Sequence, residues 1–261
     1  MHIRSHGTTH VGLVRACNED SYAIGEAIAV VADGMGGHAA GDVASRLAVE
    51  AFQALPDELD VDALHRALED ANRAIIASAE NAPERTGMGT TVTGIAAIEF
   101  GGQPHWLVFN VGDSRVYRLE GSQVVQLTVD HSEVAELIAQ GRLTAAQARV
   151  HPLRNVVTRS LGSEPPPQVD TWVFPSHQDD LFLVCSDGLT GELTDDEIGA
   201  IVQHSSSLAD GVQRLVGEAL ARGGHDNITA ILLAPAEERL DQIDDQTPTV
   251  PRKGVRSDHD T

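Results

Sequence analysis

The sequence predicts an α+β domain: antiparallel strands carry the core, and amphipathic helices come in separate groups. Three observations support this. Residues 90–129 hold short β-rich runs divided by tight turns, the pattern of an antiparallel meander. Two helical stretches precede that region, and two more follow an apolar run ending at Cys185. At 261 residues, 41% hydrophobic and 22% charged, the chain can bury a substantial core as one large domain or two small ones.

Taken in order, residues 2–14 read as an edge strand and turn, and Tyr22–Ile24 as a short strand. The valine-rich run from Ala27 to Ala32 reads as a buried strand that stops at Asp33, where a glycine-rich turn of Gly34, Gly36, Gly37 and Gly41 begins. Ala44, Leu47, Ala48, Ala51 and Leu55 share one face of a helix over 41–55 that Pro56 ends. Leu64, Leu68, Ala71 and Ile75 mark a second helix over 61–79, and 81–85 is a loop. Strands follow over 90–100, 105–111, 115–119 and 123–129, with Gly112-Asp113-Ser114 as a turn. Residues 130–168 look inserted: a short helix carries Val134, Leu137 and Ile138, Gly141 caps it, and another helical turn covers 144–149. Strands resume at 169–174 and 180–185. Thr194 and Glu197 then form a capping box, and Leu208, Val212, Leu215, Val216 and Ala219 stripe a helix over 208–221. A last strand spans 228–233. The domain is predicted over 1–235, and the acidic, Pro-containing stretch 236–261 is predicted to be a disordered tail.

Charge excludes several functions. A formal net charge of −21 opposes binding to nucleic-acid phosphates or to an anionic membrane face. No run approaches the roughly 18 apolar residues of a spanning helix, and the start holds no signal-peptide core, so a cytoplasmic location is expected. Cys17 and Cys185 are too few for a disulfide framework and read as reduced thiols.

The chemistry lies at the predicted strand ends. Asp33, Asp113, Asp187 and Asp226 each follow or precede an apolar run beside glycine or turn residues. Carboxylates gathered in one site repel one another unless a cation neutralises them, and an all-oxygen donor set suits Mg²⁺ or Mn²⁺. Two such ions can activate a water for in-line attack on phosphorus. The polar cluster from Arg15 to Asp20 adds Glu19, Asp20 and an arginine whose fork suits a phosphate.

The ordered motifs Arg15-Ala-Cys-Asn-Glu-Asp20, Val31-Ala-Asp-Gly-Met-Gly-Gly37, Gly89-Thr-Thr-Val92, Asn110-Val-Gly-Asp-Ser-Arg115, Ser186-Asp-Gly-Leu189 and His225-Asp-Asn-Ile-Thr229 resemble the metal-dependent serine/threonine protein phosphatases of the type-2C (PPM) family in their bacterial form. The resemblance covers Arg15 to Thr229. It implies a four-layer αββα sandwich of two packed antiparallel sheets. It also implies hydrolysis of phosphoserine and phosphothreonine in proteins by a metal-activated water, reversing a bacterial Ser/Thr kinase in signal transduction. Its cofactors would be two Mn²⁺ or Mg²⁺ ions and a third, weaker one. By the same resemblance Asp33 bridges the two core ions, the Gly34 carbonyl is a ligand, and Asp187 and Asp226 hold the other ion. Glu19 and Asp20 act through bound waters, Asp113 joins Asp187 at the third ion, and Arg15 binds the substrate phosphate. Residues 130–165 match the family's flap, which influences substrate choice, and a monomer is expected.

The position where some members carry a proton-donating histidine is Met35 here. Metal-bound water, His151 or His38 is the expected replacement, and His151 is carried as a candidate catalytic residue. Three rival readings are opposed by the sequence. A dinucleotide fingerprint at Gly34–Gly37 would set Asp33 against a pyrophosphate of like charge. A Ser-His-Asp hydrolase lacks its GxSxG. A catalytically inactive phosphatase-like binding module is opposed by intact Asp33, Asp187 and Asp226.

Overall fold

The computed structural model describes residues 1–36, 40–55, 59–121 and 123–236. In chain order the first elements are β1 (Ile3–His10), β2 (Asp20–Ile24), β3 (Ile28–Met35), α1 (Gly41–Gln53), α2 (Val61–Glu80), β4 (Gly89–Thr90), β5 (Val92–Phe100) and β6 (Gln103–Val111). There follow β7 (Arg115–Glu120), β8 (Gln123–Gln126), α3 (Glu133–Ala139), α4 (Ala145–Ala148), β9 (Asp170–Pro175), β10 (Phe182–Cys185), α5 (Asp187–Glu192), α6 (Asp195–Gln203), α7 (Leu208–Ala221) and β11 (Ile228–Pro235). The strands form two sheets, ordered β1-β11-β10-β7-β8 and β2-β3-β5-β6-β9, with β4 beside the end of β3. Every pairing between named strands is antiparallel. The parallel βαβ unit of a dinucleotide site is therefore not formed at β3.

Side-chain alternation explains the layering. On β6, Trp106 and Phe109 lie on opposite faces, as period two demands. Trp106 meets Phe182 of the other sheet at a ring separation of 5.0 Å. Phe109 stacks on Phe52 of α1 at 5.4 Å. So β6 faces the partner sheet on one side and a helix on the other. Helix α1 covers this sheet with α2 packed on α1, and α5, α6 and α7 cover the other, giving the four layers expected. Val212, Leu215, Val216 and Ala219 of α7 are buried in the second core, against β1 and β11. The predicted capping box at Thr194 and Glu197 is present.

The structure corrects several expectations. The stretch 90–129 is not one meander: β5 and β6 belong to one sheet, β7 and β8 to the other. The Gly112-Asp113-Ser114 link is the crossover between sheets. Alternation reveals which face is buried but not which sheet owns a strand. Strand β3 does not stop at Asp33 but runs through Gly34 to Met35, because Gly34 and Met35 pair with β4. Asp187 does not sit in a plain turn. It opens α5, and Ser186 is the residue before that helix. The predicted loop at 81–85 contains a 3₁₀ turn, Pro83–Arg85. Pro56 and the stretch 237–261 lie outside the described residues. Ala236 still donates its amide to the His2 carbonyl at 2.9 Å.

Glycine is required where α5 meets the approach to β11. A Cβ on Gly188 would overlap the Asn227 carbonyl oxygen, which is backbone and cannot swing aside. Gly188→Ala is expected to cost about 1–3 kcal/mol by overpacking. Urea unfolding should show a lower midpoint with an unchanged m-value.

Candidate active site

Antiparallel register alone gathers the acidic residues. Pairing of Asp20 with Asp33 puts the start of β2 beside the end of β3. Val92 opposite Val111 puts the end of β6 at the same edge. In the second sheet Cys185 lies opposite both Ala230 and Arg115, so the end of β10 meets the starts of β11 and β7. Both sheets present these termini at one end of the sandwich. There a cleft of about 240 Å³ is lined by Arg15, Glu19, Asp33, Gly34, Met35, Thr91, Asp113, Asp187 and Asp226, with Asn155 and Val157 of the flap.

Asp33, Glu19 and Asp226 are each held through the backbone or a neighbour. The Asp33 amide donates to Thr91 Oγ1 at 2.9 Å, and its carbonyl accepts from the Thr91 amide and Thr90 Oγ1, both at 2.9 Å. Thr91 Oγ1 also lies 2.9 Å from Ser114 Oγ, which links β3 to the crossover bearing Asp113. The Gly34 amide donates to the Glu19 carbonyl at 3.1 Å. Glu19 Oε1 accepts from the Gly41 amide at 3.2 Å, at the first residue of α1. This approach needs Gly34: a Cβ there would overlap the Gly41 carbonyl. Asp226 Oδ2 accepts from Arg15 Nη2 at 2.7 Å, and its Oδ1 from the Asn227 amide at 2.8 Å.

Asp20 differs from the others. It is buried, is not among the cleft-lining residues, and accepts from Ser186 Oγ at 2.8 Å and Thr229 Oγ1 at 2.7 Å. It thus ties the two sheets together beneath the site.

Crowding of carboxylates shapes the electrostatics. Loss of hydration pushes the Asp33 carboxyl well above its ordinary pKa, and Asp20, Asp187, Asp113 and Asp226 push it further. Asp113 is raised to about 8 by burial, then by Asp187 and Asp130. Asp20 is raised to about 7 by burial, against the lowering effect of its two hydroxyl donors. Asp187 is raised by burial and by Asp226. Glu19 is raised by loss of hydration. Arg15 is held more firmly charged by its hydrogen bond to Asp226, with Asp33 and Glu19 adding to this.

These residues fit hard divalent cations. The donors are oxygens throughout. Buried Asp20 Oδ1 and Asp187 Oδ1 have no hydrogen-bond partner among the described residues, which is costly for an anionic oxygen without a cation or water. No three His, Cys, Asp or Glu side chains among the described residues close into a protein-only cage. Mg²⁺ does not ask for one, since it keeps several waters and uses one or two carboxylates. A larger hollow of about 370 Å³, lined by Arg4, Asp180 and Ser206 among others, lacks this chemistry. Its buried acid, Asp180, is paired with Arg118 at 2.9 Å and accepts from Trp106 Nε1 at 2.7 Å.

The structure does not bring every expected residue to the cleft. His151 is not among the lining residues, and its Nδ1 accepts from the Leu153 amide at 3.2 Å, within the flap. His38 lies outside the described residues. The other flap histidine, His131, is buried: Nδ1 accepts from the Gly112 amide at 3.1 Å, and Nε2 lies 3.2 Å from Asp170 Oδ2. Burial pushes its pKa down. Sequence reasoning assigned no role to Thr91 or Asn227. Asn227 accepts from the Glu19 amide at 2.8 Å and donates to the Val11 and Cys17 carbonyls, both at 2.9 Å. A signal existed for each: a hydroxyl pair interrupting an apolar strand, and an amide following the last strand-edge Asp.

Comparison with known proteins agrees with this geometry. The family model "Protein phosphatase 2C" matches residues 7–232. Serine/threonine phosphatase Stp of Listeria monocytogenes is 38% identical over 238 residues, covering 86% of this chain and 93% of that protein. The crystal structure of the Mycobacterium tuberculosis serine/threonine phosphatase PstP/Ppp superposes with a TM-score of 0.82 at 36% identity, over 91% of this chain and 100% of that one. The catalytic domain of PstP in complex with two manganese ions gives a TM-score of 0.79 at 36% identity, over 89% and 98% of the two chains.

Proposed function

The chain belongs to the protein phosphatase 2C family, and from that premise we propose that its acidic cleft hydrolyses phosphoserine and phosphothreonine in proteins, reversing a Ser/Thr kinase. The observation that carries this reading is the gathering of Asp33, Asp113, Asp187 and Asp226 at one end of the sandwich, beside Arg15. The enzyme is a metal-dependent protein-serine/threonine phosphatase, and its cofactors are Mn²⁺ or Mg²⁺, two ions in the core site. When bound, such ions acidify water and offset negative charge on the attacked phosphoryl group.

We assign the residues as follows. Asp33 would serve both core ions and the Gly34 carbonyl one of them; Asp187 and Asp226 would hold the other, Asp113 with Asp187 would receive a third, and Glu19 and Asp20 would act through water. Without cations these acids would repel a phosphate dianion. Arg15 is about half exposed, and Asp226 is its hydrogen-bond partner among the described residues. Its remaining N–H groups are available to two phosphate oxygens at once. Met35 lines the cleft and cannot donate a proton to the departing alkoxide. The part proposed for His151 in that step draws no support from its position.

Among the described residues no helix is long and apolar enough to cross a membrane. With the −21 charge this supports a cytoplasmic enzyme free of nucleic-acid and membrane partners. The reading is tested with p-nitrophenyl phosphate and a phosphothreonine peptide. Turnover should require Mn²⁺ or Mg²⁺ and stop with EDTA; no turnover with either ion would favour a binding module instead. Arg15→Ala should lower kcat/KM for the peptide by roughly 10- to 100-fold, the size of one lost charge-assisted contact. An unchanged kcat/KM would remove Arg15 from substrate binding.

A further inference from the structure

We propose that the flap is a docking surface for acidic sequence, so that the enzyme prefers phosphoresidues flanked by Asp, Glu or a second phosphate. This rests on the phosphatase reading above and names the class of substrate segment that the same site takes. The chain has 39 Asp and Glu residues, yet residues 137–163 contain none and carry Arg142, Arg149, Arg154 and Arg159. This is the longest acid-free stretch in the sequence, and the next longest is 1–18, which carries Arg4 and Arg15. Both reach the cleft, one through Asn155 and Val157, the other through Arg15.

Three of the four flap arginines, Arg142, Arg149 and Arg154, differ from the paired arginines of this protein, Arg159 among them. Arg115 pairs with Asp130 at 2.6 Å, Arg118 with Asp180 at 2.9 Å, Arg222 with Glu197 at 2.7 Å and Arg159 with Asp170 at 3.0 Å. Arg142, Arg149 and Arg154 are exposed, and among the described residues none has a carboxylate within 4.0 Å. Arg149 Nη2 donates to the Gly191 carbonyl at 3.4 Å, which sets it against α5, the helix that Asp187 opens. Arg154 precedes cleft-lining Asn155. Between them Val150 is 80% exposed.

At the chain's net charge of −21 an acidic phosphoprotein is repelled at a distance. Within a Debye length of about 8 Å, the local charge of the flap governs instead. Guanidinium groups match carboxylate and phosphate forks, so an acidic segment laid across the flap would be drawn toward the cleft, and a basic one turned away.

The test uses the full chain with Mn²⁺ and phosphothreonine peptides of equal length, flanked by Glu or by Lys, with p-nitrophenyl phosphate as reference. At low salt kcat/KM should favour the Glu-flanked peptide by about tenfold, the combined size of a few exposed ion pairs. The preference should shrink as NaCl rises. The triple variant Arg142→Gln, Arg149→Gln, Arg154→Gln should lose the preference while keeping the p-nitrophenyl phosphate rate. Equal rates on both peptides, a preference for the Lys-flanked one, or a preference that survives in the triple variant would overturn the proposal while the phosphatase reading stands. No turnover of p-nitrophenyl phosphate by the unmodified chain would overturn both.

Discussion

Asp33→Asn is expected to lower kcat on a phosphothreonine peptide by about a thousandfold or more and, at the same time, to stabilise the metal-free protein. Both effects have one cause. Asp33 sits among Asp20, Asp187, Asp113 and Asp226, and each of them raises its pKa. In the assigned site it is the carboxylate facing both ions, so asparagine removes the charge that holds them. A thousandfold is about 4 kcal/mol of transition-state stabilisation, within what a metal site supplies. Without ions the same charge is only a source of repulsion, and its removal relieves a cluster that cannot all ionise freely. The asparagine can keep the backbone contacts to Thr91 and Thr90, because those use the main chain of residue 33 and not its carboxylate. Steady-state kinetics in Mn²⁺ and melting in EDTA at pH 8 read the two effects separately. A variant that is inactive but melts lower in EDTA would mean that Asp33 is a structural residue; a variant that stays active would remove it from the metal site.

Asp33, Asp187 and Asp226 were legible in the sequence because each adjoins an apolar run beside a residue that breaks it, a local pattern. The work of Asp20 was not legible. Its partners Ser186 and Thr229 lie 166 and 209 residues away, and nothing in the stretch around residue 20 names them. The same holds for Asn227, whose side chain gathers Val11, Cys17 and Glu19 from the other end of the chain. Strand and helix positions followed from periodicity, but the division of residues 90–129 between two sheets did not. The link at Gly112 looks like a hairpin turn until Asp113 is seen crossing the sandwich. His151 is a histidine in a polar insertion, the residue type a proton donor calls for. In the structure the flap reaches the cleft through Asn155 and Val157 instead, residue types that no catalytic pattern singles out.

The second large effect is on stability against pH in the metal-free protein. Asp20 is raised to about 7, Asp113 to about 8 and Asp33 well above its ordinary value. The folded state therefore holds protons that the unfolded chain releases near pH 4. Their contribution is complete below about pH 4 and is lost as pH climbs through the folded values toward 8. His131, lowered by burial, acts in the opposite sense below pH 6.5, one group against the raised carboxyls of Asp20, Asp33, Asp113, Asp187 and Glu19. Glu192 is lowered by its contacts with His225 despite partial burial, and that contribution fades only under more acid conditions. In EDTA the melting temperature is therefore expected to fall between pH 5 and pH 8 by roughly 10 °C, the equivalent of a few kcal/mol in a domain of this size. Saturating Mn²⁺ at pH 8 should recover most of that loss, since an ion bound by the folded state alone adds stability by mass action. Asp113→Asn should flatten the upper part of the slope without altering the lower part. A metal-free melting temperature that stays level or rises from pH 5 to pH 8 would show that the carboxylates do not crowd one another, and the case for a shared cation site would fall with it.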